Sequence, residues 1–285
     1  HMVVGSTTPA RQHPRDGDLS DGSSGNSRRA SEIVMEWLRL YSKLPNFRGK
    51  TRLGQKLMAG TDSRAVLEQS MRAGFQMKLA TKDRMQRAMF LKRQHEPGAE
   101  IVFKKFAKEA KVFFDVGANV GYFSFFAKSQ NPSLVVHSFE PLPGNAEAFR
   151  VNLAANDFSG IYLHEICVSD TVGETEFMLP PGDESGWGRI AHREDLFNAG
   201  KIQREVISLD YFCETNRISQ VDFMKIDVEG YEMKVLDGAK GVLGKNKKPI
   251  ICIEVNEPCL VDLGTSAKEL FARLKSYGYH WHALD

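Results

Sequence analysis

The sequence predicts an α/β fold: a mostly parallel sheet with helices on both faces, preceded by a helical N-terminal extension. Three observations carry this. From Lys111 onward, short apolar runs alternate with amphipathic stretches. The runs are continuously apolar, as befits strands buried on both faces of a parallel sheet. The first run, "KVFFDV", passes straight into a glycine-rich turn and then a helical pattern, the order of a βα unit.

Taken in order, residues 1–30 are rich in Ser, Gly, Asp, Arg and Pro and carry little apolar surface, so they are expected to be disordered. Residues 31–95 form the extension, a possible lid. "SEIVMEWLRLYSKL" places Ile33, Val34, Trp37, Leu38 and Tyr41 at helical spacing, with Ser31 as N-cap. A second helical stretch is expected over 62–92, through Val66, Leu67, Met71, Phe75, Leu79, Met85 and Met89. Residues 96–285 form the main domain. Its strands are expected at 111–116, 134–140, 160–168, 221–228 and 249–255, with a sixth in "YHWHALD". Helices are expected near 121–129, 143–156, 231–243 and 266–277. A long excursion, 171–206, contains a strand "ETEFML" and the loop "PPGDESGWGR". A loop of that length in a compact domain is often functional. Its Trp187, Arg189 and His192 are candidates to line a substrate pocket.

Composition excludes several classes. The net charge of +2 is too balanced to draw the whole chain to nucleic acid or an anionic membrane. The four cysteines lack a Cys-x-x-Cys pair, which argues against structural zinc and a disulfide framework. No apolar run reaches the ~18 residues of a membrane span, and no signal-peptide core opens the chain, so a cytoplasmic location is expected.

The turn after the first strand, Gly117-x-Asn119-x-Gly121, lets a ligand approach backbone that a Cβ would block. Ligands of such sheets bind outside the carboxyl ends of the strands. The next strand ends in Glu140, where a carboxylate can accept hydrogen bonds from a ribose. The third glycine of a dinucleotide turn is missing, which argues against NAD. Asp115 at the strand tip suits a cationic ligand and is expected to engage its charged end, directly or through water. A nucleoside bearing an ammonium and a sulfonium fits these features; S-adenosyl-L-methionine is such a molecule.

"FFDVGANVGYFSFFAK", "SFEPLPGNAEAFRVNLAAN", "ICVSDTVGE", "VISLDYF", "VDFMKIDVEGYEMKVLDGA" and "IICIEVNE" follow one another in the order seen in FkbM-type S-adenosylmethionine-dependent methyltransferases, which this chain resembles over about residues 85–285. The resemblance implies a Rossmann-like class I methyltransferase fold, and O-methylation of a hydroxyl on a natural product, a sugar or a carrier-bound intermediate. It also implies that adenine lies against the end of the third strand, at Cys167, Val168 and Ser169. In the fourth strand Asp227 falls over the crevice, Glu229 follows in the turn, and Glu254 ends the fifth strand. These three carboxylates are the catalytic candidates, because clustered acids are costly unless they hold a proton, a cation or hydroxyl donors. No metal is expected, although Asp227, Glu254 and Asn256 are donors that Mg²⁺ accepts. The rival readings are a nucleotide-dependent oxidoreductase on a similar sheet and an inactive domain that binds cofactor or partner.

Overall fold

A computed structural model describes residues 34, 36–58, 66–179, 189–190 and 200–284. The expected disorder of 1–30, His192 and the loop at 181–188 with Trp187 lie outside the described residues.

Five strands make the main sheet: β3 (Val112–Val116), β4 (Val135–Phe139), β5 (Ile161–His164), β10 (Phe223–Ile226) and β11 (Ile250–Ile253). They are all parallel, in the order β11-β10-β3-β4-β5. The chain builds outward from β3 through β4 to β5, then returns to the other side of β3 with β10. The order reverses there, so the crevice opens at the carboxyl ends of β3 and β10. The two-residue period of a strand sends neighbouring side chains to opposite faces. Phe113 and Phe223 enter one apolar cluster, with α5 (Tyr122–Gln130) and Phe149 of α6 (Pro143–Ala154). Phe114, Val116, Met224 and Ile226 enter the other, with α7 (Leu209–Thr215), α8 (Glu232–Asp237), α9 (Lys240–Leu243) and α11 (Ala267–Ser276).

Four expectations need correction. The stretch 62–92 is not one helix. It contains an antiparallel hairpin, β1 (Val66–Ser70) with β2 (Gln76–Ala80), and then α3 (Arg84–Lys92). Leu67, Gln69, Met77 and Leu79 are buried at alternate positions, and Gly74 turns the chain at φ +93°. The two-residue period thus prevails over a helical spacing that the same apolar residues also satisfy. Asp83 starts α3 by accepting the Gln86 N–H at 2.7 Å.

The run 160–168 divides between two sheets. β5 ends at His164, and β6 (Cys167–Val168) joins β7 (Gly173–Met178), β8 (Arg189–Ile190) and β9 (Lys201–Ile207) in a second sheet of order β6-β9-β7-β8. The polar pair His164-Glu165 marks the break. The helix expected over 231–243 is two helices, interrupted at Gly238, where a Cβ would stand 2.0 Å from the Ser169 carbonyl oxygen. Lastly, "YHWHALD" forms no strand over 279–284. Its side chains pack instead: Tyr279 Oη donates to Pro249 O at 3.0 Å, and Trp281 stacks on Phe271 of α11 at 4.8 Å.

The N-terminal segment is therefore mixed rather than purely helical: α1 (36–43), α2 (Lys50–Met58), the hairpin and α3. It shares a core with the sheet. Leu38, Met58, Leu67, Phe75 and Phe90 belong to the same cluster as Phe113, Phe125 and Phe149. Asn152 of α6 and Asn156, two residues past its end, bind the backbone of β2 as an extra strand would, accepting from Lys78 N at 2.7 Å and Gln76 N at 2.8 Å. α4 (Pro97–Phe106) follows and puts Phe103 between Phe113 and Phe223.

Candidate active site

β3 ends at Val116, and the chain turns through three left-handed residues, Gly117 (φ +81°), Asn119 (φ +50°) and Gly121 (φ +92°). A Cβ on Gly117 would stand 1.8 Å from the Asp227 carbonyl oxygen; one on Gly121 would meet the Phe125 and Phe149 rings at 2.5–2.7 Å. Both glycines are therefore needed twice, for conformation and for space. The N–H groups of Gly117 and Ala118 both reach Phe139 O at 3.0 Å, which fixes this turn to the end of β4.

Glu140, the residue after β4, clamps the turn from the other side. Its Oε2 accepts the Asn119 N–H at 2.8 Å; its Oε1 accepts the Leu142 N–H at 2.9 Å and Asn145 Nδ2 at 3.3 Å. Burial pushes this carboxyl up to about 7 against the pull of those donors.

The second turn follows β10. Pairing of β3 with β10 sets Lys225 beside Asp115. The buried Lys225 ammonium lies 3.9 Å from Asp115 Oδ1, donates to Asp227 Oδ2 at 2.9 Å and donates to Gly117 O at 3.2 Å. One cation thus braces both turns. Burial opposes its charge, but Asp227 and Asp115 hold it protonated. Asp115 is wholly buried and takes a 2.5 Å hydrogen bond from Ser124 Oγ, which also contacts Ser138 Oγ at 2.7 Å. Its burial raises its pKa.

Beyond β10, Glu229 is left-handed (φ +51°), and Gly230 (φ +101°) packs so closely that a Cβ would meet Cys259 O at 2.6 Å. Glu232 is buried under this turn and accepts the Val228 and Gly230 N–H groups at 3.2 and 3.1 Å. One carboxylate oxygen from each of Asp227, Glu229 and Glu254 lies within 4.8 Å of the others. Burial disfavours ionisation of Asp227, but Lys225 outweighs it and holds Asp227 below the usual carboxylate range. Local desolvation and then the Asp227 charge push Glu254 up to about 9, although much of that residue faces solvent. The same two causes push Glu229 up to about 7. At neutral pH the cluster therefore holds an ionised Asp227, a protonated Glu254 and a Glu229 near its midpoint.

These groups line one cavity of about 900 Å³, its open mouth included. Gly117, Asn119, Glu140, Cys167, Val168, Asp227, Glu229 and Glu254 are all among its lining residues. Three expected site residues do not line it. Asp115 lies behind the wall with Ser124 and Lys225. Gly121 packs under Phe149. Ser169 binds Ile207 O through its N–H at 2.9 Å and Asp170 Oδ1 through its Oγ at 3.2 Å. Among the cavity residues, His95, Glu96, Phe177 and Tyr231 were given no site role by the sequence, and Met85 was expected on a methionine-rich face over the core or a ligand. Nothing local marks them: each is far in sequence from the glycine turn or, like Tyr231, sits among stronger motifs. His95 Nε2 lies 3.1 Å from Glu96 Oε1, and its ring meets the rings of Tyr122 and Phe123 at 5.5 and 5.7 Å. His137, in contrast, is packed on His164 within the sheet, Nδ1 to Nε2 at 3.1 Å.

The methyltransferase FkbM domain family matches residues 115–281, from within β3 to a few residues past α11. The 31-O-demethyl-FK506 methyltransferase FkbM of Streptomyces tacrolimicus is 27% identical over 194 residues, covering 59% of this chain and 72% of that protein. Methyltransferase 1 of Beauveria bassiana is 27% identical over 145 residues, 44% of this chain and 56% of its own length. The 2-O-methyltransferase NoeI of Sinorhizobium fredii is 28% identical over 152 residues, 49% and 62%. The chain thus spans less than two thirds of the latter two.

Proposed function

We propose, from the premise that this chain belongs to the FkbM methyltransferase family, that it moves a methyl group from S-adenosyl-L-methionine to a hydroxyl oxygen of a natural product, a sugar or a carrier-bound intermediate. The observation that supports this reading best is one cavity lined both by the buried acid after β4, Glu140, and by the three clustered carboxylates Asp227, Glu229 and Glu254. The O-methyltransferase NoeI and the FK506-directed enzyme among the relatives support oxygen as the acceptor.

The residues present fit the cofactor. A carboxylate offers about four acceptor positions, and protein donors occupy three of those on Glu140, which leaves room for a ribose hydroxyl. Phe139, Leu142, Ile166, Val168 and Phe177 give the cavity apolar lining suited to a purine. Cys167 adds a thiol whose pKa burial raises to about 12, so it stays neutral. The Asp227, Glu229 and Glu254 cluster suits an ammonium and a sulfonium. When bound, the cofactor supplies an already activated methyl group, so positioning and proton removal are the protein's share.

Glu229 is the residue best tuned for that proton. A general base works best with a pKa near the working pH, and Glu229 titrates at about 7. Asp227, paired with Lys225, is a weaker base but a fixed negative charge that orients a hydroxyl donor. Glu254 carries a proton at neutral pH and serves as a donor to the acceptor's oxygen or to Asp227.

The test is transfer of labelled methyl from the cofactor to a panel of hydroxylated metabolites and carrier-bound substrates. The expected product is a methyl ether from at least one of them. Glu229→Gln should lower kcat by about 10²–10⁴-fold with cofactor affinity unchanged. A methylated nitrogen or carbon would overturn the O-methyl assignment. Tight cofactor binding with no transfer to any acceptor would favour an inactive binding domain. Activity that survives a chelator would separate the carboxylates' proton role from a Mg²⁺ site.

A further inference from the structure

The whole-chain charge of +2 hides a local excess. Residues 36–58 contain Arg39, Lys43, Arg48, Lys50, Arg52 and Lys56 against one acid, Glu36. The same segment exposes large apolar side chains: Trp37 (68% exposed), Leu40 (57%), Leu44 (47%), Phe47 (48%), Leu53 (48%) and Leu57 (50%). Each helix has three sides. In α1, Leu38 and Ser42 face the core, Trp37 and Leu40 form an exposed apolar stripe, and Arg39 and Lys43 lie beyond it. In α2, Lys50, Gly54 and Met58 face the core, Leu53 and Leu57 form the stripe, and Arg52 and Lys56 lie beyond it. The spacings i, i+3 and i+4 produce this pattern.

The two helices are one rigid unit. The buried Lys50 ammonium donates to Ser42 O at 2.8 Å and Leu44 O at 2.5 Å, satisfying carbonyls at the end of α1. Tyr41 Oη donates to Lys50 O at 2.7 Å, and the Tyr41 and Phe47 rings meet edge to face at 6.5 Å.

We propose that α1 and α2 dock this protein on an anionic lipid surface. The apolar stripe enters the headgroup boundary and the flanking lysines and arginines meet the lipid phosphates, the arrangement of an interfacial helix. Charge selects this occupant. In a symmetric dimer the same patch would face itself and set its basic flank against a second basic flank. The undescribed segments that flank α1 and α2 in sequence are poor covers by composition. Residues 1–33 offer only Met2, Val3, Val4, Leu19 and Ile33 as large apolar side chains, and 59–65 offer none. A nucleic acid would use the cations and leave the apolar stripe in water. Among the described residues, no helix is long and apolar enough to cross a membrane, so the contact is with the surface.

The experiment is flotation of the full chain with vesicles of phosphatidylcholine alone or mixed in equal parts with phosphatidylserine. Binding to the mixed vesicles alone, weakened by salt, is expected. Leu40→Glu with Leu57→Glu should abolish it. Arg39→Gln, Lys43→Gln, Arg52→Gln and Lys56→Gln together should lower affinity by about 10²-fold or more. All six positions are exposed, so both variants should keep the parent's circular dichroism and cofactor affinity. Failure of the folded parent to float with mixed vesicles overturns the proposal, as does equal flotation of parent and variants. So does a reversible dimer that Leu40→Glu with Leu57→Glu dissolves while no vesicle is bound; the patch would then join two copies.

Discussion

At the scale of single residues, the site depends on positions that tolerate no side chain and on acids that do not behave like free acids. Gly117→Ala would place a methyl group 1.8 Å from Asp227 O at a φ of +81°. We expect destabilisation above ~3 kcal/mol, seen as a lowered Tm, and loss of cofactor binding; a normal Tm would show that the two turns separate readily. Glu229 gives a signed expectation. Its pKa rises from 4.5 to about 7 on folding. The native state therefore holds a proton that the unfolded chain releases, and stability falls as pH climbs between those values. Glu229→Gln should match the parent's Tm near pH 4 and exceed it at pH 8, while kcat falls. The parent's kcat/KM should also rise with pH through about 7, a limb absent from the variant. Lower stability of the variant at pH 8 would remove the raised pKa from the account.

At the scale of elements, α6 holds both the hairpin and the glycine turn after β3. Asn152 accepts from Lys78 N and donates to Val120 O at 3.0 Å, inside the Gly117–Gly121 turn. Asn152→Ala removes the partner of the buried Val120 carbonyl and of the half-buried Lys78 N–H. The expected cost is on the order of 2–3 kcal/mol by urea denaturation, with a larger loss of cofactor affinity than Asn156→Ala causes. Such contacts mark the limit of what the sequence reveals. The parallel strands were legible because continuous apolar runs ending in Asp115, Glu140 and Asp227 follow from burial on both faces. The hairpin was not, because Leu67, Met71, Phe75 and Leu79 satisfy a helical spacing as well as a strand's. The Asp115 expectation rested on its strand-tip position; pairing with Lys225 across β10, which no local pattern displays, turns it inward. Met85, His95 and Glu96 reach the cavity only through the packing of a segment that precedes the family's motifs.

At the scale of the molecule, one apolar cluster runs from Leu38 of α1 to Phe149 of α6 without a seam at residue 95. A chain starting at Ser31 should keep its Tm and activity, because residues 1–30 have little apolar surface to bury. A chain starting at Glu96 should lack cooperative unfolding in calorimetry, because Phe113 and Phe125 lose their cover. A sharp transition in the shorter chain would mark residues 31–95 as a separable domain. The same seamless packing bears on how such an enzyme changes acceptor. Met85, His95 and Glu96 face the cavity from a segment whose neighbours Met89, Phe90 and Leu91 are core. Cavity lining and core packing thus share one stretch of chain. Under the proposed function, we expect a shift in acceptor to come through substitutions in this stretch that also disturb the core, accompanied by compensating mutations elsewhere.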